Sequence, residues 1–229
     1  MSISENLKRV RERIEKAASM ARRSVEEIKL VAATKGVNAE RIIEAIGLGV
    51  NAFGENYAQE FRDKHDLVEK AIGKKVEWHF IGRLQKNKVK HLDDISLIHS
   101  LDSTFVAKEI NKRAEKIGTS VSVLIEVNIG EEEVKGGIES RRVDDFLSEL
   151  NRFSRIEVNG FMAMPPFFDN PEMVRPYFRK LRELRERLQE RFPNLKELSM
   201  GMSGDFEVAI EEGATIVRIG TAIFGPRSN

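Results

Sequence analysis

The sequence predicts one α/β domain spanning residues 1–229, a closed (β/α)8 barrel of the TIM class with an extra helix in front of its first strand. Two observations carry that prediction. Eight short apolar segments alternate with helical segments from one end of the chain to the other, which argues parallel strands joined by crossover helices. No linker or low-complexity tract interrupts the alternation, and 229 residues is the length of a single barrel domain. An open doubly wound sheet is the alternative that the alternation alone leaves standing.

Leu7, Val10, Ile14, Ala17 and Ala21 recur at spacings of three and four, so residues 3–22 form the leading amphipathic helix. The first strand covers 28–34. Asn38 caps a second helix carrying Ile42, Ile43 and Ile46, ended by Gly47 and Gly49. Strands follow at 50–53, 76–81, 95–99 and 121–127, with helices at 55–72, 83–92 and 104–117, the last capped by Asp102 or Ser103. A loop over 128–137 leads to a helix at 139–151 and a sixth strand at 156–162. Asn170-Pro171 starts a long helix with Val174, Phe178, Leu181, Leu184 and Leu188 on one face, and Pro193 stops it. The seventh strand, 195–198, a helix at 204–212 and the eighth strand, 214–219, complete the chain.

Composition narrows the function classes. The chain is 41% hydrophobic and 33% charged, enough for a core and a solvated surface, and its net charge of +1 predicts neither a nucleic-acid nor a membrane-surface partner. The absence of cysteine excludes disulfides, thiolate metal sites and a cysteine nucleophile, and suits a reducing cytoplasm. Residues 3–22 interleave charges with apolar residues, unlike a signal peptide, and no run approaches the roughly 18 apolar residues of a membrane span. The Glu, Lys and Arg load would also suit a thermophile.

The chemistry is expected at the carboxyl ends of the strands, where barrels of this class carry their sites, with phosphate often held after the last two strands. Ser199-Met200-Gly201-Met202-Ser203-Gly204-Asp205 opens a helix after the seventh strand, and Ser203 is placed to cap it. Gly220-Thr221 follows the eighth strand, giving close backbone approach and a hydroxyl. Two such turns suit a phosphate monoester, although each alone also reads as an ordinary helix cap. The first strand ends in Lys35-Gly36, and it neighbours the eighth in a closed barrel. An amine beside a phosphate cradle is what a pyridoxal phosphate Schiff base requires, whereas Lys35 by itself reads as a solvated loop lysine.

Six pieces carry a resemblance. Val31-Ala32-Ala33-Thr34-Lys35, Phe53-Gly54-Glu55-Asn56-Tyr57-Ala58-Gln59-Glu60, Trp78-His79-Phe80-Ile81-Gly82 with Leu84-Gln85-Lys86-Asn87-Lys88, Gly160-Phe161-Met162-Ala163-Met164-Pro165, Ser199-Met200-Gly201-Met202-Ser203 and Val217 to Gly225 together resemble the pyridoxal phosphate homeostasis protein family. The resemblance covers nearly the whole chain. It implies a barrel like the amino-terminal domain of alanine racemase and a cofactor, pyridoxal 5'-phosphate, bound covalently as N6-(pyridoxal phosphate)lysine at Lys35. It implies phosphate contacts from Ser203, Gly204, Gly220 and Thr221, and Arg218 beside the pyridine nitrogen. Asn56, His79 and Met164 match positions lining the cofactor, and Lys135 matches a basic position that would make a secondary contact. Gly36 and Val37 depart from the family, which often has polar residues there. The resemblance also implies a cytoplasmic monomer that stores and delivers the cofactor, with the apo-forms of cofactor-using enzymes as its acceptors.

An arginine facing the ring nitrogen favours its unprotonated form and weakens the ring as an electron sink, which argues against transaminase-type chemistry. Racemases of this fold use a second base, a tyrosine from another domain and subunit. The chain is expected to stop just after the barrel and holds only Tyr57 and Tyr177, so a non-catalytic carrier is expected, with an amino-acid racemase or a cofactor-free phosphosugar enzyme as rivals. Other signals are set aside. Gly47-x-Gly49-x-x-Ala52 precedes a strand instead of following one, so it is no dinucleotide motif. His65, His79, His91 and His99 lack metal-ligand spacing, and His79 reads equally as a buried strand residue. Lys86, Lys88, Lys90 and His91 read as a solvated helix face, and Trp78 as core packing.

Overall fold

The computed structural model describes residues 2–131 and 136–226. Nine parallel-paired strands run in chain order as β1 (Lys29–Ala33), β2 (Ala52–Glu55), β3 (Glu77–Phe80), β4 (Leu97–Leu101), β5 (Val121–Asn128), β6 (Ile138–Glu139), β7 (Ile156–Met162), β8 (Glu197–Ser199) and β9 (Ile216–Ile219). Pairing of β1 with β9 and of β4 with β5 closes eight of them into a barrel, which overturns the open-sheet alternative. The two-residue β6 is a surplus strand that pairs with the end of β5 outside the ring, Val127 opposite Ile138.

The helices are α1 (Ile3–Met20), α2 (Ala39–Gly47), α3 (Ala58–Ile72), α4 (Thr104–Ile117), α5 (Val143–Leu150), α6 (Arg175–Gln189), α7 (Phe206–Glu211) and α8 (Thr221–Phe224). Residues 86–91 form a 3-10 turn where a helix over 83–92 was expected, and Pro171–Val174 is a 3-10 turn in front of α6. Several strands begin one or two residues later than their apolar runs. Val50, Leu195 and Ala214 are buried in the lead-in loops, since an apolar residue reports burial and not ladder pairing. The leading helix has a structural reason. The helices α7 and α8 are short, and α1 packs against both: Asn6 Nδ2 donates to Ile223 O, and just past α1 the Arg23 guanidinium donates to Ile210 O and Ala214 O. Its buried Leu7, Val10 and Ile14 each contribute roughly 1.5–3 kcal/mol of burial free energy. A Ser2–Glu5 capping box begins it.

Strand parity divides the buried residues into two layers. Outward-facing side chains such as Phe53, Trp78, Phe161, Leu198 and Val217 join the helices in the main core. Trp78 is fully buried there, with Phe53 and Phe61 rings each 5.7 Å away. Inward-facing Val31, Ala52, Leu97, Leu124, Met162 and Ile216 fill the barrel interior, together with a polar set, His79, His99, Ser199 and Arg218.

Candidate functional site

The strand order brings the predicted residues to one rim. Ala32 pairs with Ile219, so Lys35, two residues past β1, and Gly220, one residue past β9, leave adjacent parallel strands at the same end. The approach is close: a Cβ added at Gly220 would stand 3.2 Å from Ala33 O. Ser203 is not the helix cap it was expected to be. Asp205 occupies that position, and Ser203 Oγ accepts from Ala222 N at 3.2 Å, which ties the turn after β8 to the turn after β9. That bond places Ser203, Gly204, Gly220 and Thr221 in two linked turns after neighbouring strands. Around Gly204 an added Cβ would meet nothing within 4 Å, so that turn faces open space.

Lys35 is half-buried, its Nζ 4.9 Å above the ring of Tyr57. A clasp built from the end of β2 and from α3 holds the residues on either side of it. Gly36 N donates to Glu60 Oε2 at 2.9 Å, and Thr34 Oγ1 donates to Glu55 Oε1 at 2.6 Å. Lys64 Nζ bridges Glu55 Oε1, Glu60 Oε2 and Thr34 O, each at 2.8 Å. Burial pushes the fully enclosed Glu55 carboxyl above its ordinary value, against the pull of Lys64 and Thr34. Gly36 adopts φ 71, a left-handed conformation in which a side chain would be strained.

Arg218 lies inside the barrel. Its Nη1 donates to Ser199 Oγ and its Nη2 to Ala163 O at 3.1 Å, both neutral acceptors. Burial pulls it down to about 10, partly offset by Glu126 and Asp205, so it remains a cation at neutral pH. Burial in turn pushes both of those carboxyls up. Asn56, half-buried after β2, and Met164, exposed after β7, also stand on the rim. A cleft of about 950 Å³ opens beside Asn56 and Tyr57, with Arg83 and Lys86 among its walls.

His79, the third of the four residues of β3, is fully buried, with its ring within hydrogen-bond distance of His99 and Glu77. Lys135 lies outside the described residues. The sequence reading missed Tyr57 beneath the amine, the Glu55–Glu60–Lys64 clasp and Ser199 behind Arg218. A signal existed for part of the clasp, since Glu60 and Lys64 are spaced i, i+4 on one helix. Among the described residues no group of His, Asp and Glu could hold a metal ion, and no helix is long and apolar enough to cross a membrane.

Fold and rim define a barrel of the alanine racemase amino-terminal class, and the family model described as "Alanine racemase, N-terminal domain" matches residues 4–228. The chain is 51% identical to a pyridoxal phosphate homeostasis protein of Aquifex aeolicus over 99% of each chain. It is 39% identical to the one of Escherichia coli K12, over 98% of this chain and 97% of that one. The chain belongs to the pyridoxal phosphate homeostasis protein family. Among solved structures, PipY of Synechococcus elongatus with PLP bound matches with a TM-score of 0.80 at 28% identity, over 98% of this chain and 100% of PipY. An alanine racemase of Clostridium difficile shares the fold (TM-score 0.73, 16% identity), and the alignment spans 57% of that longer chain.

Proposed function

We propose that this barrel binds pyridoxal 5'-phosphate through Lys35 and serves to store and deliver it. One observation carries the reading: the Lys35 amine and the Ser203 and Thr221 turns leave adjacent strands on one rim, an amine next to an anion cradle. The donor set suits that ligand. Lys35 Nζ condenses with the aldehyde and releases one water, while Ser203, Gly204, Gly220 and Thr221 give hydroxyl and N–H groups to the phosphate. Asn56 and Met164 would flank the ring. When bound, the cofactor can act as an electron sink. Arg218, a cation donating N–H groups, favours an unprotonated ring nitrogen and holds that sink weak.

The tyrosines support storage over turnover. Tyr57 offers its ring to Lys35, and Tyr177 stacks on Phe168 at 5.8 Å beside α6. Neither is thereby posed as a second base across from the amine. The reading makes apo-forms of cofactor-using enzymes the recipients, a monomer the working state and the cytoplasm its location. Loading with pyridoxal phosphate followed by borohydride reduction tests it. The expected result is one covalent adduct on the peptide containing Lys35, absent from Lys35→Ala, and transfer of unreduced cofactor to an apo-enzyme. No adduct on Lys35 would overturn the binding role. Rapid exchange of Cα hydrogen for deuterium in an amino-acid panel would overturn the storage role in favour of a racemase.

A further inference from the structure

The barrel interior holds a line of polar groups that the cofactor site does not account for. It runs upward from the base. Lys29 Nζ meets Glu77 Oε1, Glu77 Oε1 lies 2.9 Å from His79 Nε2, and His79 Nδ1 lies 2.8 Å from His99 Nε2. His99 Nδ1 lies 2.8 Å from Ser199 Oγ, and Ser199 Oγ meets Arg218 Nη1. At its lower end, Lys29 and Glu77 line a cavity of about 470 Å³ at the opposite end of the barrel from Lys35. The line crosses five strands, β1, β3, β4, β8 and β9, and His79, His99, Ser199 and Arg218 are all buried.

Its direction is dictated from both ends. A guanidinium has only donors, so Ser199 Oγ accepts from Arg218. A buried hydroxyl proton without an acceptor is costly, and the acceptor beside Ser199 is His99 Nδ1. The proton of His99 therefore resides on Nε2 and points to His79 Nδ1. The proton of His79 resides on its Nε2 and points to the Glu77 carboxylate, which can only accept. Burial, together with the positive charges of Arg218 and Lys29, holds His99 well below its ordinary value and keeps the ring neutral. The remaining charged groups near the line, Glu126 on β5 and Asp205 after β8, act on Arg218.

We propose that His79, His99 and Ser199 are positioning residues for Arg218, a one-way hydrogen-bond relay through which Glu77 at the base of the barrel sets how the guanidinium meets the cofactor's ring nitrogen. This rests on the proposed cofactor site. The relay spends one Nη1 N–H on Ser199, which orients the guanidinium plane together with Ala163 O and leaves other N–H groups for a ligand. Replacing the Glu77 carboxylate removes the acceptor that selects the His79 tautomer, and the change travels up the line to Arg218.

The experiment is a double-mutant cycle with two readouts. In the cofactor-free wild type, NMR of the histidine ring nitrogens should find Nε2 protonated and Nδ1 bare on both His79 and His99. In the loaded protein, the cofactor's absorbance is titrated with pH for wild type, Glu77→Gln, Ser199→Ala and the double variant. The Glu77→Gln substitution should move the midpoint by about 0.4 unit or more (roughly 2.5-fold in proton affinity) while Ser199 is present, and not at all once Ser199→Ala has cut the line. An unmoved midpoint, an equal shift in both backgrounds, or a proton on either Nδ1 overturns the relay. Failure of the wild type to take up cofactor overturns the functional reading instead, and the tautomers of the cofactor-free protein still decide the relay.

Discussion

The α3 clasp around Lys35 rests on one cation, and Lys64→Met removes it with little change in side-chain length. Lys64 has 12% of its side chain exposed and Glu55 none, and Lys64 Nζ stands 2.8 Å from Glu55 Oε1. Two routes bound the cost. Leaving the Glu55 charge stranded costs about 3–5 kcal/mol, the usual result of breaking a buried pair from one side. Alternatively Glu55 takes up a proton. Starting from an ordinary value of 4.5, that costs at most about 3.4 kcal/mol at neutral pH, at 1.36 kcal/mol for each of roughly 2.5 units. Burial already raises Glu55, so the second route is cheaper and a loss of about 3 kcal/mol is expected. In a domain of this size that lowers Tm by roughly 6–12 °C. The pH dependence identifies the cause. A carboxyl raised in the folded state favours folding when protonated, so its contribution is complete below the unfolded value and is lost as pH rises through the folded one. The gap between wild type and Lys64→Met should therefore be widest above neutral pH and shrink toward about pH 5, measured by urea unfolding at each pH. Adding Glu55→Gln should recover most of the loss. A deficit below about 1 kcal/mol, or one that does not vary with pH, would refute the reasoning.

Three further outcomes are expected. Gly82→Ala would place a Cβ 2.2 Å from Asn56 O, so the backbone after β2 must move; stability should fall by about 1–3 kcal/mol with weaker cofactor retention, read by thermal melting and dialysis. Arg218→Gln removes the guanidinium that Ser199 and Ala163 orient, and the absorbance of bound cofactor should shift toward the form with a protonated ring nitrogen; an unchanged spectrum would show that Arg218 does not reach the ring. Glu77 is held at about 2 by the His79 hydrogen bond and by Lys29, against burial. Its stabilisation is present above the ordinary carboxylate value and lost as pH falls from about 4.5 through 2, so acid unfolding of Glu77→Gln should lack that component, which partial exposure keeps below about 1 kcal/mol.

The two rim turns and Lys35 were legible because each is a local signal: a strand that ends in an amine, and glycines beside hydroxyls at strand ends. Their being neighbours followed from one global rule, that the first and last strands of a closed barrel pair. Ser203 shows where local reading stops. It has the right residue type two places before the Asp205 cap, yet its hydroxyl oxygen accepts from Ala222 N, of a residue the chain brings back only after β9. His79 shows the same. The motif around it was informative, but only the closed barrel shows its inward-facing ring meeting His99 and Glu77.

What the chain alone determined is what repeats or stays local. The alternation of apolar strands with amphipathic helices set a parallel α/β domain of barrel length, and the leading helix was visible in its three-and-four spacing. Position at a strand's carboxyl end set Lys35 and the turns after β8 and β9 on one rim. Only the tertiary structure decided the clasp between Thr34, Glu55 and Lys64, and the line from Glu77 through His79, His99 and Ser199 to Arg218. The physical reason is that parity along one strand tells which side chains face inward but not which neighbour they meet. Hydrogen bonds between residues up to 100 positions apart exist only once the ring of strands has closed.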